Sequence, residues 1–279
     1  MTTAFFTSGQ RVGRYRLVRL LGEGATGLVF NATADDGSEV AVKLLHPERA
    51  NEAENQARFV REARLARRID SRHVVPILEL GELPDLTFLV MPFYPRGSLA
   101  QRLRTLGRMS VDETVELAAQ LGRGLDTLHE HEVLHRDVKP SNVLLELDGT
   151  AALADFGLAR APDSTPLTRE GQLVGTPHYV APELIEGLGA TKASDVYALG
   201  CLLYECIVGE PPFAGRGLVE LGFAHLAEPP PDPRERRPEL PDDVASTLLI
   251  ALEKEPAARP TSGTALARML HVARSAPPA

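Results

Sequence analysis

The chain holds 279 residues, 43% of them hydrophobic and 24% charged, a balance that suits one large domain or two small lobes and excludes wholesale disorder. Thirty Lys and Arg against 38 Asp and Glu leave a formal charge of −8, so no overall basic field draws nucleic acid or an anionic membrane. Only four of the cationic residues are lysines, at Lys43, Lys139, Lys192 and Lys254, which matters because arginine cannot replace lysine where a compact point charge is needed.

The first ten residues form a short polar arm with Phe5 and Phe6 rather than a charged-then-apolar leader. Alternating segments bounded by turn signals then predict strands over 14–21, 28–33, 39–45, 74–82 and 87–91, interrupted by one helix over 52–69. Beyond residue 95 the periodicity turns helical. Ser110-Val-Asp-Glu113 is a capping box that opens a long helix to about residue 132. Strands and turns are expected over 133–158, a polar loop over 161–178, and helices near 192–208, 217–227, 242–253 and 264–273. The longest apolar stretch, 196–208, carries Glu205 and falls short of the roughly 20 residues that span a bilayer. Cys201 and Cys206 lie in it and point to different helix faces, so they read as reduced core thiols. The proline-rich stretch 229–241 reads as a surface connection. The outline is α+β, with a small sheet-rich lobe over 1–94 and a larger helical lobe over 95–279.

Five stretches carry chemistry. Gly22-Glu-Gly24-Ala-Thr-Gly27 runs from strand to strand, not from strand to helix, so it suits a backbone flap over phosphates better than a dinucleotide fingerprint. Lys43 stands in Val-Ala-Val-Lys on an apolar strand, where an ammonium is costly without an anion. Glu62 shares an apolar helix face with Phe59, Leu65, Ala66 and Ile69, a place that asks for a buried cation, and Lys43 is the nearest suitable one in sequence. His135-Arg-Asp-Val-Lys-Pro-Ser-Asn142 packs Asp137, Lys139 and Asn142 together, and Asp155-Phe-Gly157 follows. Asn142 and Asp155 are hard oxygen ligands of the kind Mg²⁺ takes, Asp137 can accept a hydroxyl proton, and Lys139 can neutralise charge on a moving phosphoryl group. His129 and His131, two apart on a helix, do not share a face, and both read as solvent-exposed.

On these motifs, with Ala181-Pro-Glu183 after them, the chain resembles the eukaryotic-like Ser/Thr protein kinase family from Tyr15 to Met269, and within it the catalytic domain of the bacterial receptor-type branch. The resemblance implies a two-lobed protein kinase fold, with a small antiparallel-sheet lobe holding one regulatory helix and a larger mainly helical lobe. It implies Gly22, Gly24 and Gly27 over the phosphates of ATP, and Lys43 on the α/β-phosphates, held by Glu62. Asp137 is implied as catalytic base with Lys139 beside the γ-phosphate, and Asn142 and Asp155 as ligands of Mg²⁺ or Mn²⁺. The adenine would meet Val29, Ala41, Met91, Leu144 and backbone groups of Pro92 and Tyr94. Glu183 would pair with Arg259, and Asp195 would anchor the catalytic loop. Arg136 beside the catalytic Asp implies a phosphate on the activation loop, expected at Thr168, then Thr165. Protein substrates with Ser or Thr acceptors, a homodimer through the small lobe and a cytoplasmic location, including as the cytoplasmic part of a membrane-anchored protein, follow from the same resemblance. The alternative is a nucleotide-binding pseudokinase scaffold. Lys192 and Lys254, at helix flanks, look dispensable.

Overall fold

The structure is a computed structural model that describes residues 6–24, 27–45, 60–61, 63–64, 66–83, 86–156 and 177–274. Two compact units divide the chain. One comprises Met1–Ser71 with Val75–Pro95, and the other Arg72–Val74 with Arg96–Ala279.

The small unit is built on an antiparallel sheet of β1 (Arg11–Val12), β2 (Tyr15–Gly24), β3 (Gly27–Ala34), β4 (Glu39–Leu45), β5 (Glu79–Leu83) and β6 (Leu86–Pro92), in the order β1-β2-β3-β4-β6-β5. Strand alternation gives it two distinct faces. Tyr15, Leu17, Leu28, Phe30, Ala32, Val40, Val42, Leu44, Phe88 and Val90 form one apolar cluster on the first. The intervening residues Val29, Asn31, Ala41, Lys43, Leu89 and Met91 take the second. The register aligns Val29 with Lys43 and Lys43 with Leu89, and Asn31 with Ala41 and Ala41 with Met91. The described residues 60, 61, 63, 64 and 66 are helical, with Ala63, Ala66 and Ile69 buried.

The strand expected over 74–82 is shorter than its apolar pattern suggested. The strand begins at Glu79, just after the Leu78 N–H donates to the Val90 carbonyl, because Pro76 offers no N–H to a ladder and fixes its own φ. Val74 instead makes an isolated parallel bridge with Leu153, and the Leu153 N–H donates to the His73 carbonyl. That places Arg72–Val74 in the large unit.

The large unit contains α1 (Leu99–Leu106), α2 (Val111–Glu130), β7 (Val143–Leu145), β8 (Ala151–Leu153), α3 (Pro182–Ile185), α4 (Lys192–Val208), α5 (Leu218–Ala227), α6 (Asp242–Ala251) and α7 (Gly263–Arg274). Helix α1 was not anticipated, although Ser98 and Gln101 form a capping box at its start and could have betrayed it. Helix α4 is buried almost all round, as befits an apolar helix at the centre of a unit. Helices α2, α6 and α7 pack around it. Gly122 of α2 lets α7 approach so closely that a Cβ there would meet the Gly263 carbonyl oxygen at 2.6 Å. The Asp126 carboxylate caps α7, accepting from the N–H groups of Gly263 and Thr264. Both cysteines are buried free thiols, and burial pushes each well above the ordinary thiol range. Among the described residues no helix is long and apolar enough to cross a membrane.

Candidate active site

Helix α2 delivers the chain to the loop that carries Asp137. Its capping box, Ser110 with Glu113, starts it, and His131 ends it with the Val133 N–H turning back to the Leu128 carbonyl. Glu132 then takes a left-handed φ of 60° and Arg136 one of 64°. Such conformations persist in non-glycine residues only where surrounding bonds over-determine them.

For Arg136, Asp195 of α4 supplies those bonds. Its carboxylate accepts from the main-chain N–H of His135 at 2.9 Å and of Arg136 at 2.8 Å, and from Nε2 of His129 at 2.8 Å. The expected anchoring of the loop by Asp195 is thus present in the geometry. His129 corrects its reading as solvent-exposed, since it is buried at 5% exposure. His131, two residues on, is exposed, so the two do lie on different faces and His129 takes the inner one. No local signal distinguished the two, because the partner that draws His129 inward is 66 residues away.

Within the loop, Lys139 Nζ lies 2.7 Å from Asp137 Oδ2. The Asn142 amide donates to the Asp137 main-chain carbonyl at 2.8 Å and to Asp137 Oδ2 at 3.0 Å. Asn142 closes the 3₁₀ turn Pro140–Asn142, and its own carbonyl accepts from Ala154 N–H. The short hairpin β7–β8 therefore delivers Asp155 to the same loop. Asp155 adopts a φ of 58°, and Phe156 after it is buried with its ring edge-on to His135. Burial holds the His135 imidazole below its ordinary pKa, against the opposing pull of the Asp195, Asp137 and Asp155 carboxylates. It stays a neutral spacer beneath the loop.

Because Asn142 spends its N–H groups on Asp137, its Oδ1 is left as an acceptor, with the Ser141 hydroxyl 3.5 Å away. Asn142 Oδ1 and the Asp155 carboxylate form a pair of hard oxygen donors on adjoining segments, which fits a Mg²⁺ that takes its remaining ligands from phosphates and water.

The small unit holds a second group. Val29, Ala41, Lys43 and Met91 share the sheet face opposite the apolar core, as the register above requires. Lys43 is buried there at 3% exposure. Pro92 ends β6 and Tyr94 lies two residues beyond it, both half-buried, and Arg19 lies over the Phe93 ring between them. Gly22 and Gly24 face open space, while a Cβ on Gly27 would sit 1.9 Å from the Leu44 carbonyl oxygen. The third glycine is therefore demanded by β4 itself. Leu144, half-buried on β7, bridges Ser98. Glu62, Thr165 and Thr168 lie outside the described residues.

The end of the loop region is fixed to the large unit's core. Glu183 and Arg259 form a buried two-pronged ion pair, 2.9 Å in both prongs, and Ser194 Oγ also donates to Glu183 at 2.7 Å. Tyr179 donates its hydroxyl to Glu205 of α4. Lys254 corrects the expectation that it is dispensable. It is half-buried, and its ammonium donates to the carbonyls of Ala224 and His225, each at 2.9 Å. Lys192, at the exposed start of α4, stays on the surface.

Comparison with known proteins agrees with this layout. Residues 15–270 match the protein kinase domain family. The DNA damage-responsive serine/threonine-protein kinase RqkA of Deinococcus radiodurans is 40% identical over 274 residues, covering 94% of this chain and 40% of that protein. Serine/threonine-protein kinases PknA of Corynebacterium glutamicum, at 37% identity, and PknD of Mycobacterium tuberculosis, at 38%, align with 93% and 97% of this chain and with 56% and 41% of their own lengths. The chain thus spans about half the length of these relatives or less. A crystal structure of the Mycobacterium tuberculosis PknI kinase domain superposes with a TM-score of 0.73 at 28% identity, covering 96% of this chain and 99% of that one. The chain belongs to the protein kinase domain family, beside bacterial relatives named as serine/threonine-protein kinases.

Proposed function

We propose that this chain transfers the γ-phosphoryl group of ATP to serine and threonine hydroxyls of proteins. The observation that carries the reading is the Asp137 carboxylate, oriented by the Asn142 amide and the Lys139 ammonium on a loop bolted to Asp195. Asp137 holds the acceptor hydroxyl and takes its proton as the oxygen attacks phosphorus. Lys139, a compact cation at the same carboxylate, faces the charge that develops on the moving phosphoryl group. Asn142 Oδ1 and Asp155 would hold Mg²⁺, or Mn²⁺, which when bound neutralises charge on the phosphates. Lys43 supplies the ammonium for the α/β-phosphates, and Glu62 its carboxylate partner. Gly22, Gly24 and Gly27 supply the covering loop, and Val29, Ala41, Met91, Pro92, Tyr94 and Leu144 the contacts to the base.

The same kinship supports autophosphorylation at Thr168, with Thr165 next, matched to Arg136. It also supports pairing of two copies through the small unit, and action in the cytoplasm as part of a longer protein. Incubation with radiolabelled Mg·ATP and a basic acceptor protein, followed by phosphopeptide mapping, tests the reading. Label is expected on Ser or Thr of the acceptor and on Thr168. A chain that binds Mg·ATP and labels nothing contradicts it.

A further inference from the structure

Beneath α5 lies a buried polar cluster that the transfer chemistry does not use. His225, on the inner face of α5, is fully buried, as is Tyr197 of α4. The Tyr197 hydroxyl and His225 Nδ1 share a hydrogen bond of 2.8 Å. The imidazole also packs edge-on against the Phe213 ring, with centroids 5.1 Å apart. Lys254, just beyond α6, completes the group. Its two hydrogen bonds go to main-chain carbonyls in the last turn of α5, the negative end of that helix's dipole. Its ammonium also stands 4.9 Å from the centre of the Phe213 ring.

The backbone of Phe213 shows that this cluster is held tightly. Phe213 has a φ of 60°, a conformation that a bulky residue keeps only when its surroundings enforce it. Burial, reinforced by the charges of Lys254 and His178, pushes the His225 pKa down to about 3. The ring therefore stays neutral and keeps its bond to Tyr197 at any physiological pH. Burial likewise brings Lys254 down to about 8, yet it keeps both carbonyl partners.

The cluster is continuous with the end of the loop region. Arg259, the partner of Glu183, lies over the other ring contact of His225, with its guanidinium carbon 4.8 Å from the centre of the Tyr197 ring. The 3₁₀ turn Pro177–Tyr179 and α3 pack against α5. Helix α5 is thus pinned on its inner side by Tyr197 and Lys254, while the segment around Ala181-Pro-Glu183 rests on it.

We propose that Tyr197, His225 and Lys254 are positioning residues for the polypeptide acceptor, holding α5 where it sets the segment 177–183 and so governing acceptor affinity. The inference rests on the kinase reading and adds to it a residue set outside the transfer machinery. The hydrogen bonds of the three run to one another and to the end of α5, so their effect should fall on the acceptor and spare the nucleotide.

The test is steady-state kinetics of the full chain with myelin basic protein as acceptor, comparing wild type with Tyr197→Phe, Lys254→Met and Lys254→Arg. Tyr197→Phe removes a single hydroxyl, and Lys254→Met removes the charge while keeping the stem. Each is expected to raise the acceptor KM by about tenfold, and to leave the ATP KM and acceptor-free ATP hydrolysis within about twofold. Lys254→Arg, which keeps a donor for the helix end, is expected to recover most of the loss. If Lys254→Met fails to fold, Tyr197→Phe decides the matter alone. An unchanged acceptor KM in a folded variant, or a parallel fall in acceptor-free hydrolysis, overturns the proposal. A wild-type chain that transfers nothing to any acceptor overturns the kinase reading instead, and the positioning role with it.

Discussion

The Asn142 amide donates to both the main-chain carbonyl and the carboxylate of Asp137, at 2.8 and 3.0 Å. One side chain therefore fixes the backbone and the rotamer of the proposed base together. Asn142→Ala removes both bonds and a proposed cation ligand, while the Lys139 ammonium stays at the carboxylate. The turnover number is expected to fall by about a hundredfold or more, because misplacing a reacting group carries that order of penalty. A variant within about threefold of wild type would show that Asp137 needs no such support.

Asp195 binds two main-chain N–H groups and a buried imidazole, so its loss strands three donors at once. Asp195→Ala should cost about 3 kcal/mol in urea unfolding, the scale for orphaning buried partners of a charge. His129→Phe breaks only one of these bonds and keeps the ring volume, so about 1 kcal/mol is expected. Equal losses in the two variants would mean that His129, and not Asp195, is the principal strut.

For Glu183, burial alone would raise the pKa, but the hydrogen bonds from Arg259 and Ser194 outweigh it and hold the carboxyl below its ordinary 4.5. A carboxylate whose folded pKa is depressed contributes stability that is fully present above the unfolded value. That contribution is lost as pH falls from about 4.5 through the folded value. Arg259→Met should destabilise the chain by about 3–5 kcal/mol at neutral pH, since it leaves a buried charge unpaired. It should also flatten the acid limb of the stability profile. A variant that keeps the wild-type acid limb would place the pH dependence elsewhere.

The three glycines at the end of β2 and the start of β3 should separate by mechanism. Gly27→Ala drives a Cβ into the Leu44 carbonyl and should cost about 2 kcal/mol or more of stability. Gly22→Ala and Gly24→Ala meet nothing within 4 Å, so melting should stay within a degree or two of wild type. Any loss there should appear in the KM for ATP. Equal destabilisation by all three would remove the distinction.

Much of this layout is legible locally. Helix α2 announces itself by Ser110 and Glu113, and β4 by an unbroken apolar strand around Lys43, because both signals lie within a few residues of the structure they specify. The strand register then places Val29, Ala41, Lys43 and Met91 on one face without further information. What escaped depends on partners far along the chain. His129 is drawn inward by Asp195, and Lys254 by carbonyls 29 and 30 residues before it. Gly27 is required by a neighbouring strand's carbonyl, which a loop motif does not display. The premature strand at 74–78 shows the opposite failure, a persuasive apolar pattern cancelled by one proline.

The account stands most directly on Asp137. Initial rates of radiolabel transfer from Mg·ATP to a basic protein, measured for wild type and Asp137→Asn at matched Mg·ATP occupancy, isolate its proposed role as base. The variant should bind Mg·ATP and transfer phosphate slower by roughly 10²–10⁴-fold. A variant that transfers within about tenfold of wild type would contradict the assignment of Asp137 and the mechanism built on it.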